Sequence, residues 1–345
     1  MPARVLVTGG AGYLGSVLCE HLLQVGHNVT VVDNLMYQQH SLFHLCANPC
    51  FDFVRGDVRD EDLMRRLIAQ ADVLIPLAAI VGAPACDQDP WLANAVNRDA
   101  ILFLDRVRRP DQLVIVPITN SGYGTRSKEV YCTEDTPLEP ISIYGRLKVE
   151  LERSLLRSPN VISLRLATVF GKSPRMRLDL LVNHFVYAAM TDGYIVLFEK
   201  DFKRNYIHIR DVADCFLHSI DNAAAMAGRP YNAGLDNANL SKDELATKIM
   251  QYITDFVIHV SEFGQDPDKR NYIVSNERLR QAGFEARRSL DQGIVELMKG
   301  YRMLGRTPFK NCPGVRPVAS PPPTVLPTVV FPVATEVTHQ QQVWS

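Results

Sequence analysis

The sequence predicts an α/β fold built on a doubly wound parallel sheet. Two observations predict it: short apolar runs rich in branched residues alternate with amphipathic segments, and a glycine cluster separates the first run from the first helical pattern. The composition agrees, because 345 residues with 46% hydrophobic side chains can bury a sizeable core. The formal net charge of −1 gives no indication of a nucleic-acid or acidic-membrane partner.

The first elements form a strand–turn–helix–strand unit that ends in an acid. Residues 4–8 read as a buried strand, and the run Gly9-Gly-Ala-Gly-Tyr-Leu-Gly15 opens a helix. Residues 28–32 form the second strand, and Asp33 stands at its end. Glycines allow backbone N–H groups to approach a pyrophosphate at the helix N-terminus, and the later acid is placed to bind ribose hydroxyls. The unit therefore predicts a dinucleotide site.

The glycine spacing fits two registers of this site, Gly10-x-Gly12-x-x-Gly15 and Gly9-x-x-Gly12-x-x-Gly15. The alternative reading is a glycine-rich turn without a ligand, but strand, helix and acid are all in place around it. Asn34 follows the acid where a 2′-phosphate would need an arginine, so NAD is favoured over NADP. The residues expected to bind the coenzyme here are Gly9, Gly12, Tyr13, Leu14, Gly15, Asp33 and Asn34.

The alternation continues through three further strands, predicted at 51–54, 72–77 and 113–118, with helices at 61–70 and 91–106. Ligands of such a sheet bind at the C-terminal ends of its strands. Further coenzyme contacts are therefore expected from residues at these ends and on the following helix, namely Asp57, Val58, Leu77, Ala78, Ala79 and Asn97.

A candidate reactive group follows the fifth strand. Thr119 ends that strand, and Tyr144 and Lys148 lie four residues apart at the start of the next helical pattern, hence on one face. An ammonium near a phenol stabilises the phenolate, so Tyr144 is predicted to be the acid/base on a substrate hydroxyl. Lys148 is expected to lower its pKa and to hold the nicotinamide ribose, and Thr119 to bond the substrate oxygen. The alternative for Thr119 is a strand-end cap.

Taken together, these motifs resemble the extended short-chain dehydrogenases/reductases that act on nucleotide sugars, over roughly residues 3–305. The resemblance rests on Thr8-Gly-Gly-Ala-Gly-Tyr-Leu-Gly15, Asp33-Asn-Leu35, Gly56-Asp57, Leu77-Ala-Ala79, Asn97, Thr119 to Gly124 and Tyr144-Gly-Arg-Leu-Lys148. It implies a Rossmann-type NAD-binding domain at 1–170, a smaller nucleotide-sugar-binding lobe at 171–310 interleaved with the last sheet strands, and oxidation of a sugar C4 hydroxyl to a ketone. It also implies a homodimer through the helices near 91–106 and 143–157.

The resemblance implies a substrate subsite as well. Asn120 and Ser121 stand where the 4,6-dehydratases carry an Asp-Glu pair; neither is a suitable acid or base, which disfavours elimination of water. Asn183 is expected at the diphosphate or sugar, and Arg204 at the diphosphate. Arg270 is either a second clamp or one partner of a surface ion pair with Asp266 or Asp268.

The leading hypothesis is an NAD-dependent dehydrogenase or epimerase acting through a 4-keto sugar. The runs at 119–124, 202–209 and 266–272 resemble those of bacterial enzymes that act on GDP-heptose-type sugars. A nucleotide-sugar 4,6-dehydratase and a non-catalytic NAD-binding sensor or scaffold remain as alternatives.

Three further expectations concern the rest of the chain. The residue types of His40, His44, Cys46 and Cys50 suit zinc, but no second Cys/His knuckle follows, so no metal is expected. Seven cysteines, an odd number, and no signal peptide or apolar membrane segment favour a cytoplasmic protein. Prolines and glutamines without helical period predict a disordered tail at 311–345.

Overall fold

A parallel sheet of seven strands is the centre of the computed structural model, which describes residues 2–38, 40–126, 131–262 and 270–304. The strands within these ranges are β1 (Arg4–Thr8), β2 (Asn28–Asp33), β3 (Phe51–Arg55), β4 (Val73–Pro76), β5 (Leu113–Thr119), β6 (Tyr131–Cys132), β7 (Val161–Leu166), β8 (Thr168–Phe170), β9 (Tyr194–Leu197), β10 (Lys203–His208), β11 (Arg229–Ala233), β12 (Asn239–Ser241), β13 (Val257–Val260) and β14 (Ile273–Val274).

The α-helices of the same residues are α1 (Tyr13–Gln24), α2 (Glu61–Gln70), α3 (Ala83–Gln88), α4 (Pro90–Asn94), α5 (Ala100–Val107), α6 (Ile143–Leu155), α7 (Leu181–Thr191), α8 (Ile209–Asp221), α9 (Ala223–Met226), α10 (Lys242–Met250), α11 (Glu277–Gln281) and α12 (Leu290–Leu304). A π-helical stretch, Ala95–Asp99, joins α4 to α5, and 3-10 turns cover Phe43–Leu45 and Asn120–Tyr123.

The sheet has the predicted doubly wound topology. Its strand order is β11-β7-β5-β4-β1-β2-β3, with parallel pairing throughout. The chain moves outward from β1 in one direction through β2 and β3, and in the other through β4, β5, β7 and β11. The order therefore reverses between β1 and β4, and ligands of such sheets bind beside this switch point. The turns that follow β1 and β4 lie next to each other there.

Two hydrophobic clusters cover the two faces of the sheet, as strand periodicity requires. On β1, Val5 and Val7 belong to one cluster with α1 and α8, whereas Leu6 belongs to the other with α2, α5 and α6. The middle of β5 is completely buried at Val114 and Ile115. Continuous apolar strands are typical of parallel sheets that are covered on both faces.

Beyond β7 the chain builds smaller sheets around α7, α10 and α12. Strand β10 pairs with β8 in parallel and with β12 antiparallel, and β9 pairs with β13. Strand β11 returns to the edge of the main sheet, so the second half of the chain contributes to both parts. The proposed domain boundaries remain predictions, and the expected disordered tail at 311–345 lies outside the described residues.

One predicted helix differs in detail. The pattern at 91–106 predicts a continuous helix, whereas the structure divides it into α4, a π-helical stretch and α5. The π-helical stretch contains Asn97, which is fully buried and bonded to another segment of the chain. Single-turn π-helical stretches of this kind are frequent at functional sites.

Candidate active site

The glycine turn after β1 packs directly against the segment that follows β4. Gly9 has φ +67°, and a Cβ there would lie 2.6 Å from the Ala78 Cα. A Cβ on Gly15 would lie 2.6 Å from the Gly10 Cα. The turn is therefore closed to any larger side chain. Gly12 caps α1 without a side-chain hydrogen bond, so backbone N–H groups at this helix start are available to an anion.

Asp33 ends β2 beside this turn. Its carboxylate accepts hydrogen bonds from the Ala11 N–H at 3.1 Å and the Leu35 N–H at 2.8 Å. Burial raises the pKa of Asp33, and the two backbone N–H groups oppose this shift. A half-buried carboxylate held by backbone at a strand end is suited to diol hydroxyls. The residues present thus fit the adenosine and pyrophosphate of NAD.

The end of β3 adds a second acid near Asn34. Asp57 accepts from the Asn34 amide at 3.4 Å and from the Arg59 guanidinium at 2.8 Å. The Arg59 hydrogen bond is the main reason why the pKa of Asp57 lies below its usual value. Val58 packs beside the cluster that contains α2. A coenzyme contact by these residues stays a prediction.

Asn97 supports the segment after β4, which packs against the glycine turn. Its amide oxygen accepts from the Ile80 N–H at 2.7 Å, and its amide nitrogen donates to the Ile80 carbonyl at 2.9 Å. The preceding Ala78 N–H donates to the Thr8 hydroxyl at 3.2 Å, and Leu77 N–H to the Thr8 carbonyl at 3.0 Å. In this structure Asn97 fixes the segment that carries Leu77, Ala78 and Ala79; its predicted direct contact with the coenzyme stays a prediction.

The predicted reactive residues lie on two adjoining elements. Ser142 caps α6 by accepting from the Gly145 N–H at 3.1 Å, which places Tyr144 in the first helical turn. One turn later, the buried Lys148 ammonium donates to the Pro117 carbonyl of β5 at 3.0 Å. Two residues further along β5, the Thr119 hydroxyl lies 2.7 Å from the Ser121 hydroxyl. The helix start and the strand end are thus joined directly.

The electrostatics of Tyr144 differ from the expectation. Burial raises the pKa of Tyr144 to about 12, Cys86 raises it further, and Arg177 and Arg270 oppose the shift. Burial also lowers the pKa of Lys148 to about 8. In this structure loss of hydration outweighs the cations near Tyr144, and Lys148 is directed at the Pro117 carbonyl. A lowering of the pKa of Tyr144 by Lys148 stays a prediction.

The predicted substrate residues have contrasting surroundings. Asn120 is completely buried, and neither its amide nitrogen nor its amide oxygen has a hydrogen-bond partner among the described residues. The Arg204 side chain is 2% exposed, with its guanidinium 5.8 Å from the centre of the Tyr272 ring. Arg270 is close enough to Tyr144 to influence its pKa, whereas its alternative partners Asp266 and Asp268 lie outside the described residues.

Asn183 performs a structural task that the sequence did not indicate. Its amide oxygen accepts from the Gly171 N–H at 3.0 Å, and its nitrogen donates to the Tyr13 hydroxyl at 3.1 Å and the Arg177 carbonyl at 2.9 Å. The Tyr13 hydroxyl in turn donates to the Gly171 carbonyl at 2.7 Å. These bonds hold the loop after β8 onto the glycine turn. Direct ligand contacts of Asn183 and Tyr13 remain predictions.

The same loop carries two arginines that sequence reasoning missed. Ser173 fixes the loop by donating to the Tyr13 carbonyl at 2.7 Å. The Arg175 guanidinium lies 4.4 Å from the centre of the Tyr37 ring, and Arg177 pairs with Asp179 at 2.6 Å. Both arginines are at least nine-tenths buried. The sequence contains one indication of them: the two arginines lie two positions apart and follow closely after Gly171.

Two further observations concern cations and membranes. Within the ranges that the structure describes, no three His, Cys, Asp or Glu side chains are grouped so that they could hold a metal ion. Over the same ranges, every helix is too short or too polar to cross a membrane.

Comparison with known proteins agrees with this geometry. Residues 5–234 match the model of the NAD dependent epimerase/dehydratase family. The chain is 29% identical over 316 residues to a UDP-glucose 4-epimerase of Mycolicibacterium smegmatis, covering 87% of this chain and 98% of that protein. It is 26% identical over 326 residues to a dTDP-glucose 4,6-dehydratase of Actinoplanes, with the same shares covered.

Solved structures show the same fold. A UDP-glucuronic acid 4-epimerase from Bacillus cereus, in complex with UDP-glucuronic acid and NAD, superposes with a TM-score of 0.77 at 21% identity and covers 88% of this chain and 100% of that one. A Thermus thermophilus UDP-glucose 4-epimerase complex with NAD gives 0.73 at 24% identity, with 87% and 99% covered. The chain therefore belongs to the NAD dependent epimerase/dehydratase family, whose coenzyme is the NAD that the sequence predicts.

Proposed function

We propose that this enzyme oxidises the C4 hydroxyl of a nucleotide-diphosphate sugar and acts as an epimerase or a dehydrogenase through a 4-keto sugar. The observation that carries the proposal is the junction of α6 with β5, where Lys148 bonds the Pro117 carbonyl two residues before Thr119, and where Tyr144 lies one helical turn before Lys148. This junction lies at the C-terminal edge of the sheet, the edge that also carries the glycine turn. The names of the relatives support a nucleotide sugar as substrate.

The roles of the side chains follow from their chemistry. When bound, NAD supplies the acceptor for the electron pair of the sugar C–H bond. Tyr144 takes the proton of the sugar hydroxyl as the carbonyl forms, and it returns a proton when the carbonyl is reduced. Thr119, whose hydroxyl is oriented by Ser121, donates a hydrogen bond to the sugar oxygen. Lys148 provides a positive charge in a dry environment, where charge stabilises a phenolate most strongly.

Asn120 supports a sugar subsite at this strand end. A buried amide that bonds nothing costs free energy, so each such group in a folded protein calls for an explanation. A sugar hydroxyl that donates to its oxygen or accepts from its nitrogen would supply the missing partner. Asn120 and Ser121 exchange no proton near neutral pH, so these two positions do not supply the acid and base that the resemblance assigns to them in the 4,6-dehydratases.

Product analysis tests the function. The protein is incubated with NAD and, separately, with UDP-, dTDP- and GDP-linked hexoses and a GDP-linked heptose, and the products are identified by mass spectrometry and NMR. We expect a C4 epimer or a 4-ketone two mass units lighter than its substrate, by loss of two hydrogens. A 4-keto-6-deoxy product would contradict the exclusion of dehydration, and no product from any sugar would reject the proposed activity.

We also propose a homodimer through the surface formed by α4, α5 and α6. Trp91 in α4 is 87% exposed, so this surface offers a large aromatic side chain of the kind that is enriched at interfaces. We expect light scattering to give twice the chain mass of 38.7 kDa, and Trp91→Glu to shift the protein toward monomer. A monomeric wild type under the same conditions would contradict the proposal, and Phe43→Glu, at another exposed aromatic, is the matched control.

A further inference from the structure

A buried ion pair joins the helix that carries Tyr144 to the sheet beneath it. We propose that Glu152 and Arg165 are positioning residues that hold α6 and the end of β5 in the relative placement that the reaction requires. This inference rests on the proposed function for its kinetic test, but the contacts that carry it are independent of the substrate.

The acidic partner, Glu152, lies on the same side of α6 as the predicted reactive residues. Tyr144, Lys148 and Glu152 follow one another at intervals of four residues and so lie along one side of the helix. Glu152 is 2% exposed. Its carboxylate accepts from the Arg165 guanidinium at 2.7 Å, with two further contacts of 3.0 and 3.1 Å, and it also accepts from the Ser163 hydroxyl. Ser163 and Arg165 are alternate residues of β7, so they face α6 together.

The same guanidinium reaches the segment after β5. Its third nitrogen donates to the Tyr123 hydroxyl at 3.0 Å and to the Glu134 carbonyl at 3.0 Å. Tyr123 is completely buried and closes the 3-10 turn that starts one residue after Thr119. Its hydroxyl bonds Asn232 of β11 at 2.7 Å. One side chain of β7 therefore binds both α6, which carries Tyr144 and Lys148, and the turn that follows Thr119.

Stability alone is a poor explanation for this arrangement. Desolvation of two charges offsets most of their attraction, and apolar residues of similar volume often replace a buried ion pair at no loss of stability. Apolar residues cannot reproduce the directional hydrogen bonds of this pair, because the planar guanidinium holds two partners at set angles. Displacement of reacting groups by about 1 Å can cost about 10²-fold in rate, so directional anchoring of α6 has a catalytic consequence.

The chain contains a matched control at the opposite edge of the sheet. The buried Arg108 pairs with Asp105 at 2.8 Å and donates to the Gln112 carbonyl at 2.9 Å and the Pro159 carbonyl at 2.6 Å. These carbonyls precede β5 and β7 at their N-terminal ends, away from Thr119 and Tyr144. Arg108 thus resembles Arg165 in burial and bonding but not in position.

The test compares Arg165→Lys with Arg108→Lys, because lysine keeps the positive charge but lacks the planar guanidinium with its several hydrogen-bond donors. For Arg165→Lys we expect kcat to fall about 10²-fold with the sugar KM within about threefold of wild type, whereas Arg108→Lys keeps kcat within about twofold. Hydrogen exchange should rise at 119–124 and 143–149 in Arg165→Lys alone. Equal kcat losses in both variants, or an unchanged kcat in Arg165→Lys, would overturn the proposal.

A second variant covers the case in which Arg165→Lys does not fold. Glu152→Leu combined with Arg165→Met removes both charges and leaves neither unpaired. We expect this protein to fold and to show the same loss of kcat. A wild-type kcat, or failure of this protein to fold as well, would assign the pair to stability and overturn the proposal. If the wild type turns over no nucleotide sugar, the proposed function fails. The comparison of hydrogen exchange between Arg165→Lys and Arg108→Lys still tests whether Arg165 holds α6 and the end of β5 in place.

Discussion

Tyr144→Phe is expected to reduce kcat by about 10²–10⁴-fold, because the substitution removes only the hydroxyl that exchanges the substrate proton. The phenyl ring keeps the packing of Tyr144 beside Ile80 and Leu147, so folding and coenzyme binding should persist. The measurement is single-turnover formation of NADH with the sugar identified by product analysis, together with titration of NAD.

The matched control for this substitution is Tyr131→Phe, at a tyrosine that is 54% exposed on β6. It should leave both kcat and coenzyme affinity unchanged. If Tyr144→Phe retained kcat within about tenfold of wild type, another group would have to be the acid/base. If the wild type itself bound NAD but never reduced it, the sensor or scaffold alternative would gain support.

The second large effect is expected at Lys148, where Lys148→Met should lower kcat about 10²-fold or more. Methionine fills the buried space and removes the charge and the hydrogen bond to the Pro117 carbonyl. Lys299→Met, at an exposed lysine of α12, is the control and should have no effect. Unchanged kcat in Lys148→Met would contradict the role of the ammonium.

The pH dependence of the wild-type reaction provides a second test of the role of Lys148. Burial lowers the pKa of Lys148 to about 8, so the side chain is charged below that pH and neutral above it. The wild-type kcat/KM, which reports the pKa values of the enzyme without substrate, should therefore lose a contribution as pH rises through about 8. This falling limb should be absent in Lys148→Met, and its persistence in that variant would assign it to another group.

The fold and the family could be predicted because they depend on local patterns, and the position of the site stays a prediction from the same patterns. Buried parallel strands such as β5 are continuous apolar runs, and the glycine turn with Asp33 marks the switch point of the sheet. A four-residue spacing places Tyr144 and Lys148 on one face of a helix whatever the rest of the chain does. The doubly wound sheet and the NAD-dependent family are both confirmed.

Other features depend on contacts between distant parts of the chain, which no local pattern records. Asn183 bonds Tyr13 across 170 positions, and Arg165 bonds Glu152 and Tyr123 on two other elements. The spacing of residues along the sequence also does not show how far a side chain is removed from water. That burial decides the pKa of Tyr144 in this structure. The sequence therefore predicts the fold more reliably than it predicts the partners of individual side chains.

The measurement that tests the central claim most directly uses the accepted nucleotide sugar with deuterium at C4. Oxidation at C4 predicts a slower single-turnover rate with the C4-deuterated sugar and an unchanged rate with deuterium at C3. The deuterium should be found on the reduced coenzyme if the 4-ketone is released, and back at C4 of the product if the enzyme is an epimerase. An unchanged rate with the C4-deuterated sugar together with a slower rate with the C3-deuterated sugar would contradict the account.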